Sequence, residues 1–337
     1  MEFTLDYALI WAILIAVAVF AYVALDGFDL GVAMLFPWFQ AEQDRDVMMN
    51  TVAPVWDGNE TWLVLGGGGL LAVFPLAYSV LMPALYMPVI AMLLGLIFRG
   101  VAFEYRFKTK RAKPLWDLSF IVGSVVAALS QGIMLGAMLQ GIKVVERSYA
   151  GGWFDWLTPF TLFCGLAVVI GYALLGATWL IMKTAGPLQA RAYELARPLA
   201  FALVACIAAV SLYLPWRDVA IAERWFSFPA SLWLWALPAV LTLVTLGLLR
   251  ALRKNQQGRP YLWALGLFLL AFAGFAVSIF PYLVPRAITI WQAAAPDNSL
   301  KFLLVGAAVL IPIIFAYTGY TYWVFRGKVD VNSGYHD

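Results

Sequence analysis

The chain alternates long apolar stretches with short polar loops, and this pattern constrains its fold more than any other feature. A helix needs about 20 apolar residues to cross a bilayer, and nine stretches come close to or exceed that length. Of the 337 residues, 64% are hydrophobic and 12% are charged, whereas soluble domains carry roughly 25% charged residues. The sequence therefore predicts a polytopic membrane protein.

The nine stretches are residues 9–35, 52–74, 79–103, 117–140, 159–182, 198–215, 231–249, 261–283 and 300–325. The sixth is short because Pro215 and Trp216 end it early, so a count of eight helices stays open. We expect an all-α transmembrane helical bundle of about nine helices that forms one integral membrane domain over residues 1–337.

Basic residues predict the orientation of this bundle. With nine spans, one side of the membrane holds only six of the 22 Lys and Arg residues: Lys143, Arg147, Arg217, Arg224, Arg286 and Lys301. The other 16, among them Lys110, lie in the remaining loops and the C-terminal tail. Because Lys and Arg accumulate on the cytoplasmic side, we expect a periplasmic N-terminus and a cytoplasmic C-terminus. Tyr317, Tyr320, Tyr322 and Trp323 would form an aromatic belt at the cytoplasmic interface.

Two acidic motifs interrupt the first two apolar helices. DGFDLG contains Asp26 and Asp29, and WDGNE contains Asp57, Asn59 and Glu60. An acid at the centre of a bilayer costs about 2.5–3.5 kcal/mol, so it needs a partner, water or a role in moving charge. Asp26 and Asp29 share a helix face because they are three residues apart.

The third helix would bring opposite charges to the same leaflet. It carries Arg99, Glu104 and Arg106 in the segment RGVAFEYR, at the end predicted to be cytoplasmic. We therefore expect three helices to converge around both acidic motifs.

Two interpretations of this convergence stay open. The four acids could be structural, paired with Arg99 or Arg106. Alternatively, they form a hydrated chain of titratable groups that carries protons inward from the cytoplasm. Gln131, Ser124 and Ser130 in the fourth helix could extend such a path, but for these three a structural role is the safer assumption.

Glycines in the first two helices indicate close helix packing. Gly27 and Gly31 are four residues apart and form a surface of small residues that lets another helix approach. The run Gly66–Gly69 either packs against a neighbour or leaves room for a bound molecule.

The chain offers few ligands for a metal or haem. Its only histidine is His336, next to the C-terminus, so no predicted membrane helix supplies an imidazole. Cys164 and Cys206 lie apart in apolar segments and are expected to be packing residues. The net charge of +3 gives no indication of a nucleic-acid partner.

The motifs DGFDLGVAML, APVWDGNETWLVLGGGGLLAVFP and FRGVAFEYR closely resemble subunit II of cytochrome bd-type quinol oxidases. The resemblance extends to FPYLVP with the Trp291 segment and to PIIFAYTGYTYW in the last helix, and so covers nearly the whole chain. WDGNET and the four glycines are more similar to the cyanide-insensitive branch of that family.

The resemblance implies two four-helix bundles with one peripheral helix, in the inner membrane of a bacterium. It also implies a partner, subunit I, that holds two b haems and one d-type haem, oxidises quinol and reduces dioxygen to water. The present chain would bind no haem, and a small single-helix accessory subunit would be a further partner. Some family members keep a structural quinone or lipid in this subunit.

The resemblance also suggests roles for individual residues. The aspartate of WDGN, here Asp57, matches a residue linked in the family to proton uptake along the subunit interface. Asp26 and Asp29 match the family's DGFD pair, as proton-path or structural acids.

Two rival functions remain. Intramembrane acids and mid-helix glycines would also suit a proton-coupled secondary transporter, although no convincing inverted repeat is visible in the sequence. A purely structural assembly partner is the other alternative. In that case the substitution Asp57→Asn would leave turnover intact in an assembled complex.

Overall fold

A computed structural model describes residues 5–109 and 111–329 of the chain. Lys110, expected on the cytoplasmic side, and His336, the single histidine, lie outside the described residues. The first half comprises α1 (Tyr7–Leu35), α2 (Glu42–Asn50), α3 (Trp56–Val73), α4 (Pro75–Ala84), α5 (Tyr86–Arg106), α6 (Lys113–Gln140), β1 (Val144–Val145) and β2 (Ser148–Tyr149). The second half comprises α7 (Pro159–Lys183), α8 (Gly186–Arg217), α9 (Val219–Phe226), α10 (Ala230–Leu234), α11 (Ala236–Arg253), α12 (Arg259–Ile279), β3 (Tyr282–Val284), β4 (Ile288–Thr289), α13 (Ile290–Ala293) and α14 (Asp297–Val324).

The long helices run the full length of the molecule in alternating directions. At one end, Trp11 near the start of α1 donates to the carbonyl of Leu300 in α14 at 3.0 Å. At the other end, Asn59 at the start of α3 contacts Asp29 of α1 and Tyr322 of α14. We call this second end the acidic end. It follows that α3 is antiparallel to both α1 and α14.

Within residues 5–109 and 111–329, eight helices are long and apolar enough to span a membrane. They confirm the predicted polytopic all-α fold, and eight of the nine predicted spans correspond to them. The remaining prediction, residues 52–74, corresponds to α3, which has 18 residues and carries Asp57, Glu60 and four glycines. Its composition lowers its hydropathy, yet it runs from the acidic end to the opposite end, where Ala295 N–H donates to the carbonyl of Val73.

Several predicted boundaries differ from the structure. The sixth span was expected to be short, but α8 has 32 residues and contains Pro198 and Pro215. Residues 52–55 form a turn ahead of α3 and do not belong to the helix. The third prediction began in what is α4, a separate helix that ends at Ala84, before α5 begins at Tyr86. Two prolines flank the interruption, since Pro83 lies two residues before Leu85 and Pro88, which has no N–H group to donate, lies three residues after it.

The spanning helices form two groups of four. The first contains α1, α3, α5 and α6, and the second contains α7, α8, α11 and α12, with α7 packed on α1 and α6. Helix α14 packs on α1 and α3 from outside and is buried least among the eight candidate spans.

Glycines set the closest contact between the two groups, as the sequence predicted for Gly31. A Cβ atom on Gly31 would lie 1.8 Å from the carbonyl oxygen of Tyr172 in α7, and one on Gly176 would lie 2.3 Å from the Gly31 backbone. Only glycine fits where two backbones approach this closely.

The run Gly66–Gly69 is divided between two environments. Cβ atoms on Gly66 and Gly69 would contact Val19 and Ile15 of α1, whereas Gly67 and Gly68 have no atom within 4 Å. Half of the run therefore packs against α1, and half faces open space.

At the end of the molecule opposite the acidic end, polar contacts join the helix ends and loops to one another. Asp6 caps α1 by accepting from the backbone N–H of Leu9 at 2.9 Å, and it also accepts from the indole of Trp291 at 2.8 Å. These two hydrogen bonds hold the pKa of Asp6 below its ordinary value of 3.8. Arg286 donates to the carbonyl of Gln140 at 2.7 Å and pairs with Asp218.

Candidate functional site

Asp26 and Asp29 lie on the inward face of α1, one helical turn apart. Neither side chain is exposed. The small residues around them, Gly27 and Gly31, allow α7 to close over this part of α1. The two acids therefore face protein, as the sequence predicted, and each needs a partner for its charge.

Arg99 of α5 supplies that partner. Its Nη1 atom lies 2.8 Å from Asp26 Oδ1, and its Nη2 atom lies 3.6 Å from Asp29 Oδ2. The guanidinium side chain is fully buried. One cation therefore serves both carboxyl groups of the DGFD motif, and it also packs 5.7 Å from the ring centre of Phe103.

The N-terminal part of α3 completes the group. Arg99 Nη1 donates to Glu60 Oε1 at 2.7 Å, and the Glu60 side chain is 26% exposed. Asn59 Nδ2 donates to Asp29 Oδ2 at 2.7 Å and to the carbonyl of Leu25 at 3.2 Å. We call Asp26, Asp29, Asn59, Glu60 and Arg99 the acid cluster. Three helices converge here, as the sequence predicted.

The other predicted site residues lie outside the acid cluster. Asp57 is exposed at the start of α3, about one turn before Glu60. Glu104 is also exposed and pairs with Lys108 at 3.1 Å. Arg106 is fully buried but contacts different acids, Asp46 and Asp117. The countercharge role predicted for Arg99 or Arg106 therefore belongs to Arg99.

Arg106 belongs to a second ionic network that joins α2, α5 and α6. Its Nε atom donates to Asp117 Oδ1 at 2.5 Å, and Arg45 donates to Asp117 Oδ2 at 2.9 Å. Lys113 contacts Glu42 at 2.5 Å and Asp46 at 3.3 Å. Three cations meet three anions here, so the network is balanced, in contrast to the acid cluster.

Sequence reasoning missed the tyrosines that extend the acid cluster into the bundle. Tyr22 lies close to Asp26 and accepts from Gln131 Nε2 at 2.9 Å. Tyr172 donates to Gln131 Oε1 at 2.6 Å. A signal was present, because Tyr22 precedes Asp26 by four residues and so shares its helix face.

The sequence-based prediction for Tyr322 was wrong. We expected it in the aromatic belt, but its hydroxyl donates to Asn59 Oδ1 at 3.0 Å. Its neighbours Tyr317, Tyr320 and Trp323 are 67%, 62% and 59% exposed, which agrees with a belt for those three. The last helix therefore adds one side chain to the surroundings of the acid cluster.

The residues that the structure describes do not form a metal site. Among positions 5–109 and 111–329, no three His, Cys, Asp or Glu side chains are grouped so that they could hold an ion. Cys164 and Cys206 are both buried and free. The three carboxyl groups of the acid cluster instead surround a guanidinium, an arrangement that can bind and release protons.

The chain is similar to known proteins over almost its full length. It is 29% identical to cytochrome bd-I ubiquinol oxidase subunit 2 of Escherichia coli K12, over 97% of each chain. It is also 29% identical to cytochrome bd ubiquinol oxidase subunit 2 of Bacillus subtilis, over 95% of this chain and 96% of that protein.

A solved structure has the same fold. The bd oxidase of Geobacillus thermodenitrificans contains a chain that superposes with a TM-score of 0.76 at 16% identity, over 95% of this chain and 99% of that one. The sequence model of the family described as cytochrome bd terminal oxidase subunit II matches residues 7–325. The chain therefore belongs to the family of subunit II of cytochrome bd terminal oxidases.

Proposed function

We propose that this chain, as subunit II of a bd-type quinol oxidase, takes up protons at its acidic end for the reduction of dioxygen. The complex oxidises quinol and reduces dioxygen to water, a reaction that consumes protons at the site of oxygen reduction. The haems b and d of the complex belong to subunit I. This chain contributes proton-binding side chains and the helices that hold them.

One observation carries the proposal: the carboxyl groups are graded from exposed to buried. Asp57 is exposed, Glu60 is 26% exposed, and Asp26 and Asp29 are fully buried. Arg99 contacts the last three of these groups. A proton that reaches Asp57 from water therefore has titratable groups at successive depths ahead of it.

Charge balance supports the same function. Three carboxyl groups meet one guanidinium in the acid cluster, so full ionisation would leave uncompensated negative charge in a buried site. Uncompensated buried charge is costly, and binding of a proton relieves it. The balanced network around Arg106 lacks this property, and we assign it a structural role.

The partners follow from the family. Subunit I binds this chain, and quinol and dioxygen are the substrates of the complex, which resides in a bacterial cytoplasmic membrane. The relatives from Escherichia coli and Bacillus subtilis are named as ubiquinol oxidase subunits, which supports a quinol as the electron donor. A small single-helix subunit completes the proposed assembly.

The test is to measure oxygen consumption per haem in the purified complex with Asp57→Asn or Glu60→Gln in this chain. Each substitution removes a titratable group with little change in size, and we expect turnover to fall by about tenfold or more at unchanged haem content. Glu104→Gln is the matched control, because Glu104 is exposed and its ion pair is with Lys108, four residues further along the chain.

The opposite outcome would identify a structural subunit. If Asp57→Asn and Glu60→Gln both leave turnover per haem unchanged in a complex with normal haem content, the acids do not supply protons. If haem content falls while turnover per haem stays constant, the acids serve assembly alone.

A further inference from the structure

The last helix, α14, reaches the acid cluster through one side chain. Its outward residues Phe302, Val305 and Ile313 are 79%, 67% and 59% exposed. Tyr322 instead turns inward, and its hydroxyl donates to Asn59 Oδ1 at 3.0 Å. The ring also packs edge-on against Phe28 and Trp179, with ring centres 6.3 and 6.1 Å away.

The hydrogen bond from Tyr322 holds the oxygen end of the Asn59 amide, whose nitrogen end donates to Asp29 and to the carbonyl of Leu25. An amide has an accepting oxygen at one end and a donating nitrogen at the other. The Leu25 carbonyl can only accept, so it keeps the Nδ2 group on its side, where that group also donates to Asp29 Oδ2 at 2.7 Å. The Tyr322 hydroxyl donates to Oδ1 from the other side. Without the Tyr322 hydroxyl, Oδ1 would lose this hydrogen-bond donor, and the amide would be held from its nitrogen end alone.

A buried lysine holds the end of α14 in place. Lys183 of α7 donates to the carbonyls of Phe325 and Gly327, and its own carbonyl accepts from Val329 N–H at 2.8 Å. Lys183 and Tyr322 also line a cavity of about 50 Å³, which is large enough for water. Tyr322 therefore lies between the acid cluster and a space that admits water.

We propose that Tyr322 is a positioning residue for the acid cluster, which holds the oxygen end of the Asn59 amide while the N–H group of that amide donates to Asp29. This inference rests on the proposed function in proton uptake. It gives α14 a specific role, because the docking of its C-terminal end sets the hydrogen bonding of a buried carboxyl group. No proton passes through the amide in this arrangement.

A double-mutant cycle in the purified complex tests the proposal. Tyr322→Phe removes only the hydroxyl, and we expect turnover per haem to fall by about two- to tenfold, the factor that one hydrogen bond of ordinary net strength represents. Asn59→Leu should lower turnover as well. The double variant should be no slower than Asn59→Leu, because Tyr322 acts through Asn59. Tyr320→Phe, the same change on an exposed neighbour, should have no effect.

An infrared measurement makes the test independent of turnover. In difference spectra recorded between two pH values, the carboxyl band that disappears in Asp29→Asn should move in Tyr322→Phe and stay in place in Tyr320→Phe. An unmoved band in Tyr322→Phe would overturn the proposal, as would additive losses of turnover in the double variant.

The two proposals fail in different ways. If Asp57→Asn and Glu60→Gln leave turnover unchanged but the Asp29 band moves in Tyr322→Phe, the function in proton uptake fails and the positioning by Tyr322 stands. If the acid variants slow turnover, but Tyr322→Phe neither slows turnover nor moves the Asp29 band, only the positioning fails.

Discussion

Arg99 Nη1 lies 2.8 Å from Asp26 Oδ1, and both side chains are fully buried. The pair joins α1 to α5 and is shared with Glu60 of α3, which accepts from the same nitrogen at 2.7 Å. A buried guanidinium is expensive to desolvate, so its contribution depends on every carboxyl group around it. Three helices are thereby joined through one side chain.

We expect Arg99→Met to destabilise the protein strongly. Removal of one partner from a buried ion pair costs about 3–5 kcal/mol because the other charges are left uncompensated. The measurement is thermal unfolding of the detergent-solubilised complex, together with its haem content. Arg191→Met is the control, since Arg191 is 48% exposed and forms its ion pair with Glu194 in the same helix. Equal stability of both variants would mean that the carboxyl groups around Arg99 do not depend on its charge.

Gly31→Ala should disrupt the contact between α1 and α7. The new Cβ atom would lie 1.8 Å from the carbonyl oxygen of Tyr172, and backbone cannot move aside as a flexible side chain can. Overpacking of this kind costs about 1–3 kcal/mol or more. Gly306→Ala in α14 is the control, because no atom lies within 4 Å of its Cβ position. Thermal unfolding that is unchanged in Gly31→Ala would contradict the close approach.

Asp117→Asn should lower the stability of the protein without slowing turnover per haem. Asp117 accepts from Arg106 and Arg45, so its neutralisation weakens two charged hydrogen bonds, and we expect a loss of about 1–3 kcal/mol. Turnover per haem should stay at its original level in the fraction that assembles. Asp29→Asn, in the acid cluster, should slow turnover instead. A slowed Asp117→Asn complex with normal stability would place the Arg106 network in the proton path.

The predicted orientation can be tested by labelling. Ser148 in β2 and Gln257 between α11 and α12 are both exposed, and they lie at opposite ends of the molecule. In intact cells, a membrane-impermeant maleimide should label Ser148→Cys and leave Gln257→Cys unlabelled until the cells are opened. The native Cys164 and Cys206 are buried and serve as background. The reverse labelling pattern would place the C-terminal side outside the cell.

Some of the acid cluster could be predicted from the sequence, because helix periodicity and hydropathy limit where charged groups can go. Asp26 and Asp29 had to share a face of α1, and Arg99 had to approach from α5. The choice between Arg99 and Arg106 could not be made, since the two lie seven residues apart on the same face of one helix. They differ in depth by about 10 Å at 1.5 Å per residue, and only the surrounding acids show which cluster each one joins.

The sequence by itself determined the membrane-spanning class of this protein, the approximate extent of its helices and the motifs of its family. Hydropathy acts residue by residue along the chain, so a linear pattern is sufficient for these features. Tertiary structure decided which side chains meet. Tyr322 contacts Asn59 and does not lie in the aromatic belt, because α14 packs on α1 and α3 with this side of the helix turned toward them. Helix rotations of this kind depend on contacts between residues far apart in the sequence, as does the close approach of Gly31 in α1 to the Tyr172 carbonyl in α7. No local pattern in the sequence specifies them.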